Sequence, residues 1–70
     1  MIIVAFHTTA DAFGFEEIAK RHGLEGRLGT IPRSISAGCG FAWLIERGSK
    51  EKLQRFIVQR GLEYEGIYEQ

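Results

Sequence analysis

The stretch Ile2-Ile3-Val4-Ala5-Phe6 decides the fold, because a short, continuous and β-branched apolar run is typical of a strand buried on both faces. A second run of this kind, Phe41-Ala42-Trp43-Leu44-Ile45, lies in the other half of the chain. Two central strands require elements that cover their faces and further strands that flank their edges. The remaining segments are expected to supply both.

Each of these two strands is followed by a segment with helical spacing and with its own start and stop signals. The first helix begins near Thr8 or Thr9, which offer an N-cap, and it ends at Gly23. The second begins near Ser49 and ends at Gly61, so the same type of stop signal occurs twice.

Two weaker strands complete the pattern. Arg27–Ile31 is expected to be the second strand, although its glycine weakens it and Pro32 ends it. Glu63–Tyr68 is expected to be the last. The order β-α-β-β-α-β predicts an α+β fold, the ferredoxin-like two-layer sandwich, as a single domain over residues 1–70. Right-handed crossovers set the strand order of its antiparallel sheet as 4-1-3-2.

Composition and charge exclude several classes of function. The chain has 70 residues and 7.9 kDa, with 44% hydrophobic and 26% charged residues, which fits a small globular domain. Nine Lys and Arg balance nine Asp and Glu, so no nucleic-acid partner is expected. No apolar run approaches the ~20 residues of a membrane span, so no membrane partner is expected either. Met1–Phe6 lacks the basic start and the cleavage site of a signal peptide.

The single cysteine limits the chemistry further. One thiol forms no internal disulfide, and with two histidines it falls short of the four ligands of a structural zinc site. A free thiol is typical of the reducing cytosol, so the expected location is cytoplasmic. No glycine-rich phosphate-binding, metalloprotease or CxxC motif occurs, so no cofactor and no metal are expected.

The predicted topology brings distant residues to one edge of the sheet. The end of strand 1 lies beside the start of strand 3, and the loop between strands 2 and 3 and the N-terminus of the first helix reach the same edge. The residues gathered there are His7, Thr8, Thr9, Arg33, Ser34, Ser36 and Cys39. This edge is therefore the predicted functional site.

Cys39 is the candidate reactive group at this edge. The flanking Gly38 and Gly40 would let a ligand or another backbone approach the thiol closely. Arg33, a protonated His7 and the positive end of the first helix would each favour the thiolate, which is the nucleophilic form. The alternative is that Cys39 is a small buried residue at the start of a strand, because free cysteines are often buried.

The supporting residues have ordinary alternatives as well. His7 acts as a base or a positive neighbour of the thiol, or is a strand-end histidine in contact with solvent. Arg33 and Ser36 bind an anion, or they are a solvated arginine and a serine that forms a local turn.

The segment Pro32-Arg33-Ser34-Ile35-Ser36-Ala37-Gly38-Cys39-Gly40 resembles the Pro-Arg-x-Ile-Ser-x-x-Cys-Gly core of the selenium/sulfur carrier protein-like family. The similarity extends to Phe6-His7-Thr8-Thr9 and to Gly61–Tyr68, and it covers nearly the whole chain. The function of these small domains is largely unknown. The resemblance implies that Cys39 is a carrier thiol that bears a persulfide or selenopersulfide, and that donor and acceptor proteins are its partners.

Two functions are therefore expected from different classes. The first is a sulfur or selenium carrier, and the alternative is a non-catalytic interaction or regulatory module in which Cys39 is incidental. A stand-alone enzyme ranks below both, since no acid/base pair is evident in the sequence.

Both central strands are apolar on both faces, whereas two helices cover only one face of the sheet. A second copy most often buries an uncovered apolar patch. A homodimer, or docking onto a partner, through the open sheet face is therefore expected. The alternative is a monomer in which side chains of the outer strands shield that face.

Overall fold

The computed structural model describes residues 1–31, 34–35 and 39–70, and it has four strands and two helices. Along the chain these are β1 (Ile2–Ala5), α1 (Thr9–Arg21), β2 (Arg27–Thr30), β3 (Phe41–Ile45), α2 (Lys50–Arg60) and β4 (Gly66–Glu69). The sheet is antiparallel, in the order β2-β3-β1-β4. The predicted α+β class and the predicted order of the strands are confirmed. Neither helix, in the part of the chain that the structure describes, has the length and apolar character needed to cross a membrane.

The last strand begins at Gly66, later than the apolar pattern predicts. In the register of β4 on β1, Gly66 lies opposite Ala5, which is the last residue of β1. The preceding residues extend beyond the end of that partner strand, although the N–H of Glu65 still bonds to the carbonyl of Ala5 at 2.7 Å. The length of β4 is therefore set by the strand it pairs with.

The main core lies between the sheet and both helices. The ring of Phe15 in α1 lies 5.7 Å from that of Trp43 in β3, and 5.2 Å from that of Phe6 after β1. The buried residues of this core are Ile2, Val4, Phe6, Ala12, Phe15, Ala19, Trp43, Ile45, Leu53 and Ile57. Because residues of both helices belong to one cluster with Ile2 and Val4, the two helices pack on the same face of the sheet.

Both helices begin with a side-chain cap at the predicted positions. The hydroxyl of Thr8 accepts the N–H of Asp11 at 3.1 Å, and the hydroxyl of Ser49 accepts the N–H of Lys52 at 3.3 Å. Each cap satisfies one of the backbone donors that a helix leaves unpaired in its first turn.

Both helices also end with the same local motif. The N–H of Leu24 bonds to the carbonyl of Ala19 at 2.8 Å, directly after Gly23 with its φ of +70°. At the end of α2, the N–H of Leu62 bonds in the same way at 3.1 Å, after Gly61 with its φ of +60°. These are Schellman motifs, which require a left-handed residue that glycine provides at low cost.

The second sheet face is apolar, but it is not open. The cluster on this face consists of Ile3, Ala5, Ile31 and Ala42, with Ile35, Leu44 and Tyr68 packed against it. Ile3, Ala5 and Ala42 are at most 1% exposed. Because Ile31 and Ile35 belong to the connection between β2 and β3, the chain covers its own second face. The patch through which a homodimer was expected to form is thus covered within one chain.

Gly26→Ala is expected to destabilise the fold by about 2–4 kcal/mol. A Cβ at Gly26 would lie 2.5 Å from Nε1 of Trp43 and 2.6 Å from the carbonyl oxygen of Leu44, and the backbone φ is +117°. Nε1 of Trp43 also donates to the carbonyl of Glu25 at 3.0 Å, so this contact is unable to relax freely. Urea denaturation measures the change.

The matched control is Gly14→Ala, which adds the same methyl group in the middle of α1. No atom lies within 4 Å of that position, so the substitution is expected to stabilise the protein by about 0.5–1 kcal/mol. Equal denaturation midpoints for the two variants would contradict the close approach at Gly26.

Candidate functional site around Cys39

Cys39 lies two residues before β3, at the end of the sheet where β1 stops. Its side chain is half-buried and packs against the core on the helix side. The last pair between β1 and β3 joins Ala5 to Ala42, so the end of β1 and the start of β3 are neighbours, as predicted. The thiol is therefore anchored to the sheet on one side and accessible to solvent on the other.

The sulfur of Cys39 contacts both backbone groups of Phe41. The S–H donates to the carbonyl oxygen of Phe41, and the N–H of Phe41 donates to Sγ, both at 3.4 Å. A side-chain acceptor that bonds to the N–H two residues later forms the turn that serine and threonine hydroxyls often make. Gly40, between the two residues, has a φ of +84°, so the turn uses a conformation that favours glycine.

The register of the sheet explains why the backbone of Phe41 faces this sulfur. Phe41 lies opposite Thr30 in the ladder with β2, and the next residues are joined by a bond from the N–H of Ile31 to the carbonyl of Gly40 at 3.1 Å. Antiparallel pairs alternate between bonded and non-bonded, so the N–H and C=O of Phe41 point away from β2. They point towards β1, and one residue beyond the Ala5–Ala42 pair they lie within hydrogen-bond distance of the sulfur.

An aromatic pair borders the site on the α1 side. The ring of Phe13 lies 5.5 Å from the ring of Phe41 and is 49% exposed. The Phe13 ring therefore covers part of the Phe41 side chain, whose backbone holds the sulfur of Cys39.

These contacts set the chemistry that the thiol can perform. The N–H of Phe41 stabilises a negative charge on sulfur, whereas the Phe41 carbonyl accepts the proton of the neutral thiol and repels the anion. A thiolate or a persulfide anion would keep the first contact and lose the second. A reaction at a deprotonated Cys39 would therefore need the sulfur to move away from the Phe41 carbonyl.

The other predicted site residues that the structure describes differ in their exposure and in their hydrogen bonds. His7 is exposed after the end of β1, Ser34 is exposed, and the hydroxyl of Thr8 is engaged as the cap of α1. Three predicted residues, Arg33, Ser36 and Gly38, lie outside the described part of the chain. Within the described ranges 1–31, 34–35 and 39–70, no group of three or more His, Cys, Asp or Glu side chains could hold a metal ion.

Comparison with known proteins identifies the family. A family model described as "Putative Se/S carrier protein-like" matches residues 1–69. The chain belongs to this family. No curated protein and no solved structure matches it. The resemblance first seen around Cys39 is thus confirmed over almost the whole chain.

Cys39 could be predicted as a site residue from the sequence, but the partner that holds its sulfur could not. Phe41 was assigned only to a strand. The sequence carries no local signal for this contact, because it depends on which backbone groups of β3 the pairing with β2 leaves free.

Gly40→Ala is expected to raise the alkylation rate of Cys39 in the folded protein severalfold. No atom lies within 4 Å of a Cβ at this position, so the cost is purely conformational, about 1–2 kcal/mol for a left-handed residue. Relieving that strain opens the turn and weakens the bonds between the sulfur and Phe41. Iodoacetamide labelling at neutral pH measures the rate.

Gly23→Ala is the matched control for this experiment. Gly23 also has a positive φ, +70°, and no atom within 4 Å, but it ends α1 away from Cys39. It is expected to cost similar stability and to leave the labelling rate unchanged. Equal increases in both variants would show that labelling reports global stability and not the turn.

Proposed function

We propose that the protein carries a sulfur or selenium atom on Cys39, as a persulfide or selenopersulfide received from one protein and delivered to another. The observation that carries the proposal is the position of the only cysteine in this family member, in a half-exposed turn at one end of the sheet. A carried atom must be reached by a donor and then by an acceptor, and such a turn permits both. The strand order and the two helices on one face support a ferredoxin-like sandwich as the scaffold.

The proposed loading step is a thiol exchange. The thiolate of Cys39 attacks the terminal sulfur of a donor persulfide, a new S–S bond forms on Cys39, and the donor's S–S bond breaks so that the donor leaves as a thiolate. Unloading repeats the exchange, with an acceptor thiolate attacking the terminal sulfur and Cys39 leaving. The two electrons of each broken bond stay with the departing thiolate, so neither step needs an added oxidant or reductant.

The single cysteine supports a carrier in preference to an oxidoreductase. The chain has no second thiol that could attack the inner sulfur of loaded Cys39, form an internal disulfide and expel the carried atom as hydrosulfide or hydroselenide. The loaded form would therefore persist until an external acceptor arrives. A reducing compartment such as the cytosol would keep the unloaded thiol free.

We propose supporting roles for the neighbouring predicted residues. Arg33 and Ser36 would stabilise the anionic sulfur, and His7 would supply a nearby positive charge when protonated. Gly38 and Gly40 would leave room for a partner's backbone. These roles rest on the sequence motif and on the neighbouring ends of β1 and β3.

One observation favours a second candidate function. The sulfur of Cys39 bonds to the backbone of Phe41 and packs against the core, as a structural residue would. In that case the domain is an interaction or regulatory module, and the thiol serves only to shape the turn before β3.

Loading with a small-molecule persulfide separates the two functions. A carrier is expected to gain the mass of one sulfur atom at Cys39 in the folded state, and to lose it on addition of a thiol reductant. The Cys39→Ser variant is the control and is expected to gain nothing. No loading of the folded protein, with loading of the same chain in urea, would favour the structural role.

Arg33→Gln is expected to lower the rate of Cys39 alkylation at neutral pH by up to about tenfold, because a nearby positive charge increases the thiolate fraction. The control is Arg47→Gln, which removes an exposed arginine beyond the opposite end of β3. Labelling both variants side by side tests the proposal. If Arg33→Gln and the control react alike, Arg33 has no electrostatic role at the thiol.

A further inference from the structure

We infer that a basic groove between the end of α1 and α2 is a docking surface for an acidic segment of a partner protein. The groove has a volume of about 330 Å³. Its lining residues are His22, Gly23, Leu24, Lys52, Arg55, Phe56, Gln59 and Arg60. They include three cations and a histidine and no carboxylate, in a chain whose total formal charge is zero.

The cations of the groove are available to a partner. The ion pairs among the described residues join Lys20 to Glu16, Arg21 to Glu17, and Lys50 to Glu69. Lys52 and Arg55 take part in none of these pairs and are both exposed, so within the described part of the chain neither cation is bonded to a carboxylate.

The floor of the groove is a half-buried aromatic ring that is already surrounded. The guanidinium of Arg60 lies 4.1 Å from the centre of the Phe56 ring, and the His22 ring meets it edge-on at 6.2 Å. These contacts hold the Arg60 side chain against the groove. Because Arg60 is already restricted to few rotamers, it loses less conformational entropy when a partner binds.

The length of the groove favours an extended partner over a small anion. Lys52, Arg55 and Arg60 follow one another along one side of α2, and the first and last are about 12 Å apart along the helix axis. Cations spread over this length match several charges along an extended chain better than the single charge centre of a phosphate or sulfate. A chain segment with several carboxylates can pair with all three cations.

The inference is independent of the chemistry of Cys39. The groove is at the C-terminal end of α1, about 20 Å along the helix axis from its cap Thr8. Cys39 bonds to the backbone of Phe41, whose ring contacts Phe13 in the N-terminal half of α1. A segment bound in the groove would therefore leave the thiol uncovered, and its test requires no reaction at sulfur.

A short polyglutamate peptide, titrated into the isotopically labelled protein, tests the inference. Backbone resonances of residues 52–60 and the ring resonances of His22 are expected to shift and saturate. Raising the ionic strength from about 0.02 M to about 0.3 M is expected to weaken binding at least tenfold, because screening removes most of the attraction between exposed charges.

Two charge-reversal variants make the result specific. Arg55→Glu is expected to weaken binding about fivefold or more, whereas Arg47→Glu makes the same change in net charge outside the groove and is expected to have little effect. Equal losses in both, or no shifts at low ionic strength, would overturn the inference. Tighter binding of a single-stranded oligonucleotide than of the peptide would overturn it in favour of a nucleic-acid surface.

Discussion

The pairing of β1 on both of its edges is the constraint on which the rest of the structure depends. Its four residues are at most 5% exposed, and β3 and β4 bond to its two sides. Because both faces of β1 are apolar, alternation alone does not fix its register, and the sizes of the side chains must do so. Ile2 and Val4 face the helices with Trp43, whereas Ala5 lies opposite Ala42 on the other face. Because the side chains of Ala5 and Ala42 are small, Ile31 and Ile35 can pack over this part of the sheet.

The local signals of the sequence were sufficient for the elements, and long-range contacts account for what was missed. Caps and glycine stops determine the helices within a few residues, so the positions of Thr8, Ser49, Gly23 and Gly61 could be predicted. The start of β4 depends on where β1 ends, and the apolar periodicity of residues 63–68 carries no information about the end of β1. The second sheet face is covered by the connection between β2 and β3. The composition of that connection is typical of a polar loop, so an exposed apolar patch was expected on a face that the chain itself covers.

The candidate site, like the fold, could be predicted from local signals but not from long-range contacts. The motif around Cys39 could be identified from the residues, and the neighbouring ends of β1 and β3 follow from the topology. The contact between the sulfur and Phe41 could not be predicted from the sequence, because it depends on which backbone groups the register of β2 and β3 leaves free. The basic groove was missed for a related reason. The sequence around Lys52 and Arg55 indicates only a solvated helix face. His22, which lines the groove with them, lies 30 positions before Lys52, so sequence proximity does not show the groove.

The separation of the thiol from the groove has an energetic consequence. Exposed ion pairs contribute about 0–1 kcal/mol each, so a groove with three cations gives weak and short-lived complexes. A carrier that visits a donor and an acceptor in turn needs to dissociate after each transfer, and tight docking would hold it on the first partner. In the proposed carrier, the docking groove and the sulfur would be separate, so affinity could change through Lys52 or Arg55 without altering the turn that holds Cys39. Reactivity would then be governed by a different contact, the one between the sulfur and the carbonyl of Phe41.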